Sequence, residues 1–289
     1  MYKTAIVTDT NSGLLPEEAE HLGIHLVPMP VIVDEESFFE YVSITQADFF
    51  ARLKGGAAVS TSQPSPGALL SCWDALLENY DNLVYIPMSS SLSGEYQTAA
   101  MLAEDYDGRV HVADTHRISV TQRQAALDAL HWVQQEKSAA EIKAYLEHDG
   151  RNSDIFIAVN TLELLKKSGR VTAAGAVLGS ILSIKPVLRI QGGKLDAYRK
   201  VRGMRAAMQA MIEGLQADLQ QLDCPQVMLR AAYAGDCAAG IAWQAALQEA
   251  FPECTVGLDP LPLSVCCHVG YGALGVGIAK DILTEGDAI

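Results

Sequence analysis

The sequence predicts an α/β fold of two domains: an N-terminal three-layer α/β/α domain on a parallel sheet, and a C-terminal two-layer α/β domain on a mixed sheet. Three observations carry this expectation. The chain has 289 residues, near the length at which a single core stops growing and chains divide into domains. Its first half alternates short apolar runs with helical patterns, as a parallel sheet with helices on both faces requires. Its second half places a hairpin pattern among strand–helix units, which suits a mixed sheet covered by one helical layer.

Strands are expected at residues 5–8, 83–87 and 110–113, each running into a polar loop that leads toward a helix. The clearest helix is expected over residues 66–80. Ser65 caps it and Pro66 fits its first turn; Leu69, Leu70, Trp73, Leu76, Leu77 and Tyr80 make one apolar face. A polar stretch at 147–153 marks the boundary, giving domains 1–150 and 151–289. Beyond it come a strand at 155–159, two helical stretches reaching 183, and a hairpin of 186–190 with 195–201 around Gln191-Gly192-Gly193-Lys194. A helix over 204–221, a strand over 227–233, another helix and two strands follow. The last of these strands runs into Gly270-Tyr271-Gly272 and a closing helix. No internal repeat or low-complexity segment is present.

Composition narrows the function. Apolar residues make up 49% and charged residues 19%, enough to fill two cores. The net charge of −14 argues against a nucleic-acid partner, because phosphate binding needs a basic surface. The opening residues read as a buried strand rather than a secretory signal, and no apolar run is long enough to span a bilayer. A soluble, cytoplasmic protein is expected. Six cysteines are present; none has metal-ligand spacing, so buried reduced thiols are the expectation, Cys266-Cys267 included.

Polar clusters fall at the ends of predicted strands: Thr8-Asp9-Thr10-Asn11-Ser12, Ser89 to Gly94, and Asp114-Thr115. A fourth, Thr61-Ser62-Gln63-Pro64, precedes the capped helix. In open parallel sheets such loops converge on one crevice, which makes Asp9, Ser62, Ser91, Gly94 and Thr115 candidates for its rim. The serine loop opens a helix, where free N–H groups and the positive dipole end favour an anionic oxygen. Ser93 is then either a ligand-binding hydroxyl or a plain cap. Thr61 and Ser62 are likewise ligand donors or turn residues, and Asp9 lacks the second aspartate of a phosphoaspartate hydrolase. No phosphate-cradling glycine–lysine loop, dinucleotide fingerprint or nucleophile elbow appears. His268, expected at the end of an apolar strand against the glycine turn, can hydrogen-bond or polarise a carboxylate, or can be structural.

In this order the clusters resemble the DegV family, the fatty-acid-binding subunit of bacterial fatty acid kinase. The resemblance rests on Thr8-Asp9, Thr61 to Gly67, Ser89 to Gly94 with Tyr96-Gln97, and Gly169-Arg170-Val171. It continues through Ile184 to Leu188, Gly193-Lys194, Lys200-Val201-Arg202, and His268-Val269-Gly270 with Gly272-Ala273. It implies a fatty-acid carboxylate held at the domain junction by Thr61, Ser93 and His268, with the acyl chain enclosed in the second domain. It also implies a kinase-docking surface at Arg170, Lys200 and Arg202. The chain would have no cofactor of its own and no bound metal; the kinase partner would supply ATP and metal and form the acyl phosphate used in phospholipid metabolism, with transient membrane contact. Tyr271 stands where the family usually has proline, and residues 231–236 replace a stretch that often carries histidine; both bear on lipid choice.

Physical chemistry agrees with this reading. A tail of about sixteen carbons gains roughly 0.8 kcal/mol per buried methylene, and neutral hydroxyls suffice for the carboxylate. The small residues of 173–182 either leave room for the tail or allow close helix packing. Two alternatives stand beside this one: a carrier for another amphipathic carboxylate, and a stand-alone hydrolase using a serine of 89–93 with His268 as base.

Overall fold

The computed structural model describes residues 3–172, 184–191, 194–220 and 226–282. In chain order the first half forms β1 (Thr4–Asp9), α1 (Pro16–Leu22), β2 (Ile24–Val27), β3 (Pro30–Val33), β4 (Glu36–Phe39), α2 (Gln46–Lys54) and β5 (Val59–Thr61). It continues with α3 (Pro66–Leu77), β6 (Asn82–Ile86), α4 (Glu95–Ala103), β7 (Val110–Val112), α5 (Val120–Gln134) and α6 (Ala139–Asp149). The second half forms β8 (Ser153–Ala158), α7 (Glu163–Ser168), β9 (Ile184–Gln191), β10 (Lys194–Arg202), α8 (Gly203–Leu219) and β11 (Val227–Tyr233). It closes with α9 (Cys237–Ala250), β12 (Val256–Pro260), α10 (Leu263–Val269) and β13 (Leu274–Lys280).

The first sheet is parallel throughout, in the order β2-β1-β6-β7. Side chains alternate across it as the pleat demands. Ala5, Val7, Leu83 and Tyr85 pack with Leu69, Trp73 and Ala99 of α3 and α4. Ile6, Val84 and Ile86 pack on the opposite face with Ala19, Ala125, Ala129 and Ile142 of α1, α5 and α6. Both faces are therefore covered, which gives the three expected layers. Ser65 caps α3 through a bond from the Ala68 N–H at 3.2 Å.

The second sheet has the order β10-β9-β8-β13-β11-β12, antiparallel except for the β11–β12 pair. One face is filled by α8 and α9, with Met211, Leu215, Trp243 and Leu247 against Phe156, Leu229 and Val276. The other face is met by a small antiparallel sheet, β4-β3-β5, and by α2, α7 and α10. Helix α5 serves both halves. It lies on β1 and β6 and also on β13, where a Cβ at Gly277 would come within 2.4 Å of Val120 Cγ2.

Two expectations are corrected. The segment before Gly270 is the helix α10, not a strand, so His268 sits in the last turn of a helix. Leu263, Ser264, Cys266, Cys267 and Val269 are all buried, so the helix has no polar face and its 3.6-residue period is hidden. The closing segment is the central strand β13, not a helix. Gly275 and Gly277 hide its strand character, and its pairing with β8 on one side and β11 on the other supplies what propensity lacks. The turn of the β9–β10 hairpin at Gly192-Gly193 and the small-residue segment 173–182 lie outside the described residues.

Candidate functional site

A cavity lies between the two halves, enclosing about 900 Å³ of empty space with its mouth. Its walls are mostly apolar: Ile118 and Val120 lead into α5, Ile155, Ile157 and Val276 come from the mixed sheet, and Leu261 and Val265 come from the α10 region. The lining is that of a site for an apolar ligand.

One end of the cavity is polar. Thr61, the last residue of β5, places its Oγ1 3.0 Å from Nε2 of His268. Register with Val31 fixes the end of β5, and His268 is fixed by α10, which packs on β5, β3 and α7. Burial, with the charge of Arg170 adding to it, pushes the His268 imidazole down to about 4, so the ring is neutral near pH 7. Its Nδ1 is buried without a partner among the described residues.

Ser93 lines the same end. It is not the N-cap of α4; Gly94 is. Instead Ser93 Oγ accepts from the Glu95 N–H at 3.2 Å, which leaves the hydroxyl proton to be donated elsewhere. Gln63 brings the two loops together. Its Nε2 donates to Thr98 Oγ1 at 2.9 Å, and a Cβ at Gly94 would meet its Oε1 at 3.2 Å.

Of the residues singled out in the sequence, Thr61, Ser62, Ser93, Arg170 and His268 line this cavity. Asp9, Ser91, Gly94 and Thr115 do not. Asp9 is fully buried behind the wall and is a structural clasp: it accepts from the backbone N–H groups of Asn11 (2.8 Å) and Met88 (2.7 Å) and from Gln122 Nε2 (3.1 Å). Burial raises its carboxyl to about 6 against those bonds. Thr115 is buried beneath Gly150, where a Cβ would strike its carbonyl oxygen at 2.3 Å. Ser91 is exposed and bonds back to Ser89 Oγ through its N–H.

Arg170 is exposed and donates to the Ser168 carbonyl at 2.6 Å. Thr172, two residues on, is tied to Leu195 and Asp196 at the start of β10. Lys200 and Arg202 are exposed further along that strand, opposite Pro186 and Ile184. Their Cα atoms stand about 13 and 20 Å beyond Asp196 at 3.3 Å per residue. The intervening Lys185 donates to Asn160 Oδ1 (2.8 Å), and Asn160 Nδ2 donates to the Tyr271 carbonyl (2.9 Å). This chain links the end of the hairpin to the turn after His268. Tyr271 itself packs edge-on to Phe50, beneath Lys54 Nζ at 3.7 Å from its ring centroid.

Sequence reasoning passed over Glu40, Ser119 and Ser264, and named Asn11 only within the first polar cluster. Glu40 is completely buried, and its carboxylate accepts from Thr10 Oγ1 (2.9 Å), the Leu263 N–H and Ser264 Oγ (3.3 Å). It thereby pins the start of α10 to the first half. Nothing in its neighbourhood along the chain marks it, since all its partners but Thr10 lie more than 200 residues away. No group of acidic, histidine or cysteine side chains suited to a metal occurs among the described residues.

The model of the family described as "uncharacterised protein, DegV family" matches residues 3–281. The chain belongs to the DegV family. A DegV domain-containing protein of Deinococcus radiodurans is 32% identical over 275 residues, covering 95% of this chain and 97% of that one. A DegV domain-containing protein of Listeria monocytogenes is 31% identical over 277 residues, covering 95% and 97%. Among solved structures, a DegV-family protein of Thermus thermophilus described as binding fatty acid superposes with a TM-score of 0.86 at 28% identity, covering 96% of this chain and 99% of that one. DegV of Bacillus subtilis, described as a fatty acid binding protein, gives 0.86 at 25% identity, covering 97% and 100%. The two-sheet architecture is that of these DegV structures.

Proposed function

We propose that this DegV-family chain holds a long-chain fatty acid with its tail in the cavity and its carboxylate at Thr61, Ser93 and His268. It presents that carboxylate to a separate ATP-dependent kinase subunit for acyl phosphate formation in the cytoplasm. The observation that carries the reading is a pair of hydroxyls beside a neutral histidine in a mostly apolar cavity. Fatty-acid binding by the Thermus and Bacillus relatives supports it. The first half, residues 1–150, supplies the carboxylate loops, and the second, residues 151–289, supplies most of the apolar wall.

The tautomer of His268 follows from its two nitrogens. A proton on Nε2 donates to Thr61 Oγ1 and frees the threonine proton for the ligand. The opposite tautomer would place an unmet N–H on the buried Nδ1, which is the costlier orphan. With Ser93 also holding a free proton, the site offers two neutral donors to an anion. Neutral donors hold the carboxylate without cancelling its charge, so it stays nucleophilic. Arg170, Lys200 and Arg202 form the strip on which the kinase docks, and that partner brings ATP and metal.

The test is to delipidate the protein, add fatty acid, and measure affinity and acyl phosphate formation with the kinase on the same variants. A hydrogen bond to a charged group contributes roughly 1.5–3 kcal/mol, so Thr61→Ala and Ser93→Ala are each expected to weaken binding by about one to two decades. Arg202→Glu is expected to lower acyl phosphate formation at unchanged lipid affinity, with added salt acting the same way. Wild-type binding in both hydroxyl variants would place the carboxylate elsewhere. Equal loss of lipid binding and phosphorylation in Arg202→Glu would remove the docking role.

A further inference from the structure

Among the described residues two amide side chains line the cavity, those of Asn11 and Gln63. The Gln63 amide nitrogen is spent on the fold, since Nε2 donates to Thr98 Oγ1 at 2.9 Å. Asn11 is 1% exposed, and its Oδ1 accepts from Ser264 Oγ at 2.6 Å. Its Nδ2 stands 3.3 Å from Met88 Sδ. A thioether is a weak acceptor and the amide nitrogen carries two N–H groups, so donor capacity is left over. The reversed amide would set Oδ1 against the lone pairs of Met88 Sδ, which decides the orientation.

The partners of this amide place it. Ser264 and His268 lie about one turn apart on α10 and so share a face of that helix. Met88 directly precedes the serine loop, in which the Ser89 carbonyl accepts from the Ser93 N–H at 3.2 Å. Asn11 thus joins the helix that carries His268 to the base of the loop that carries Ser93. All five of Asn11, Met88, Ser93, Ser264 and His268 line the same cavity. The backbone beneath the amide is held on both sides. Its N–H donates to Asp9 Oδ1 at 2.8 Å, and its carbonyl accepts from the Ser119 N–H at 2.9 Å.

Charge and valence decide what such a donor meets. A carboxylate has two oxygens and about four acceptor positions, of which the Thr61 and Ser93 hydroxyls fill one each. The carboxyls of Asp9 and Glu40 are bonded close to Asn11, yet neither lines the cavity. Asp9 is occupied by the Asn11 and Met88 N–H groups and Gln122, and Glu40 by Thr10, Ser264 and the Leu263 N–H. What this acidic wall turns toward the ligand is therefore an amide donor. The Met88 side chain is flexible, so an anionic oxygen can replace its sulfur as the acceptor. A hydrogen bond to a charged oxygen is roughly twice as strong as one between neutral groups, so the exchange is favourable.

We propose that Asn11 is a further head-group residue, whose Nδ2 donates a third hydrogen bond to the fatty-acid carboxylate beside Thr61 and Ser93. The proposal rests on the fatty-acid reading above. The first measurement uses the wild-type protein, delipidated and labelled with 15N. The Asn11 side-chain N–H signals are expected to move strongly on adding stearic acid and little on adding octadecan-1-ol, which has the same tail and no charge. The second measures dissociation constants for both ligands in Asn11→Leu, with thermal melting to show that it is folded. Ser264 keeps an acceptor in that variant, because Glu40 Oε2 lies 3.3 Å from its Oγ. Stearic acid is expected to bind roughly tenfold more weakly or worse, and the alcohol within about twofold of wild type. Asn11 signals that respond equally to both ligands would overturn the proposal. So would a folded Asn11→Leu that binds stearic acid like wild type, or that loses the alcohol as much as the acid. If stearic acid fails to bind the wild-type protein, it is the fatty-acid reading that falls.

Discussion

The parallel sheet and the mixed sheet bury their faces by different means. Around the parallel sheet both faces are filled by the chain's own large side chains: Trp73 is fully buried and meets Tyr85 and Tyr106 edge to face. Around the mixed sheet only the α8–α9 face is filled in that way. On the other face, β13 carries Gly275 and Gly277 on the side turned to the first half, and α5 and the β3–β4–β5 sheet come close without closing the space. Gly277 is used to let Val120 in; a Cβ at Gly275 would meet only ordinary contacts, Phe156 O at 3.4 Å and Ile157 Cγ1 at 3.7 Å. The same residue type thus serves close packing at one position and open volume two residues earlier. One sheet is filled on both faces, and the other leaves a cavity beside one of its faces.

This contrast can be broken by substitution. The largest effect is expected for Trp73→Ala, which empties the core of the parallel sheet and should cost about 3–5 kcal/mol in denaturant unfolding. Fatty-acid affinity of the folded protein should be unchanged. Gly277→Val is expected to follow, at about 1–3 kcal/mol or more, because its Cβ must displace Val120 from the α5 contact. Gly275→Val should leave stability within about 1 kcal/mol yet weaken binding of long acyl chains more than of short ones, read by titration across chain lengths. If Gly275→Val destabilises the protein as much as Gly277→Val does, the distinction between packing glycine and cavity glycine is wrong.

The smallest effect concerns pH. Burial raises the Glu40 carboxyl from 4.5 to about 7. A group whose folded value lies above its unfolded value contributes stability that is fully present below the unfolded value and is lost as pH rises through the folded one. The protein should therefore lose stability between about pH 4.5 and pH 7, with little further change above. Glu40→Gln should lose less over that range, as followed by denaturant midpoints. Asp128, raised to about 7 mainly by burial and despite the nearby Arg117, keeps some slope in the variant. An unchanged slope in Glu40→Gln would mean that Glu40 is ionised at little expense where it stands.

Much of this was legible along the chain. The apolar runs at 5–8, 83–87 and 110–113 are strands because both faces of a parallel sheet are buried, and Ser65-Pro66 marks a helix start wherever it occurs. The hairpin of β9 and β10 could be read from its pattern and the glycines between its arms. The loops bearing Thr61 and Ser93 were visible as hydroxyl clusters, the first before the capped helix and the second at a strand end. The three-stranded β3–β4–β5 sheet was missed, since its strands of three and four residues are too short to show a period. Helix α10 and strand β13 were exchanged, because burial on all sides erases amphipathic pattern and glycines erase β-propensity.

What the sequence by itself determined was the class of fold, the family, and which loops carry hydroxyl clusters. What only the tertiary structure decided was which of them meet. Thr61 finds His268 across 207 residues, and Glu40 and Asn11 join Ser264 across more than 220. Asp9, as polar as any of them, turns inward to hold the scaffold. Local pattern reports which hydrogen bonds a residue can make; only the packing of helices and sheets leaves one hydroxyl with a protein partner and another without.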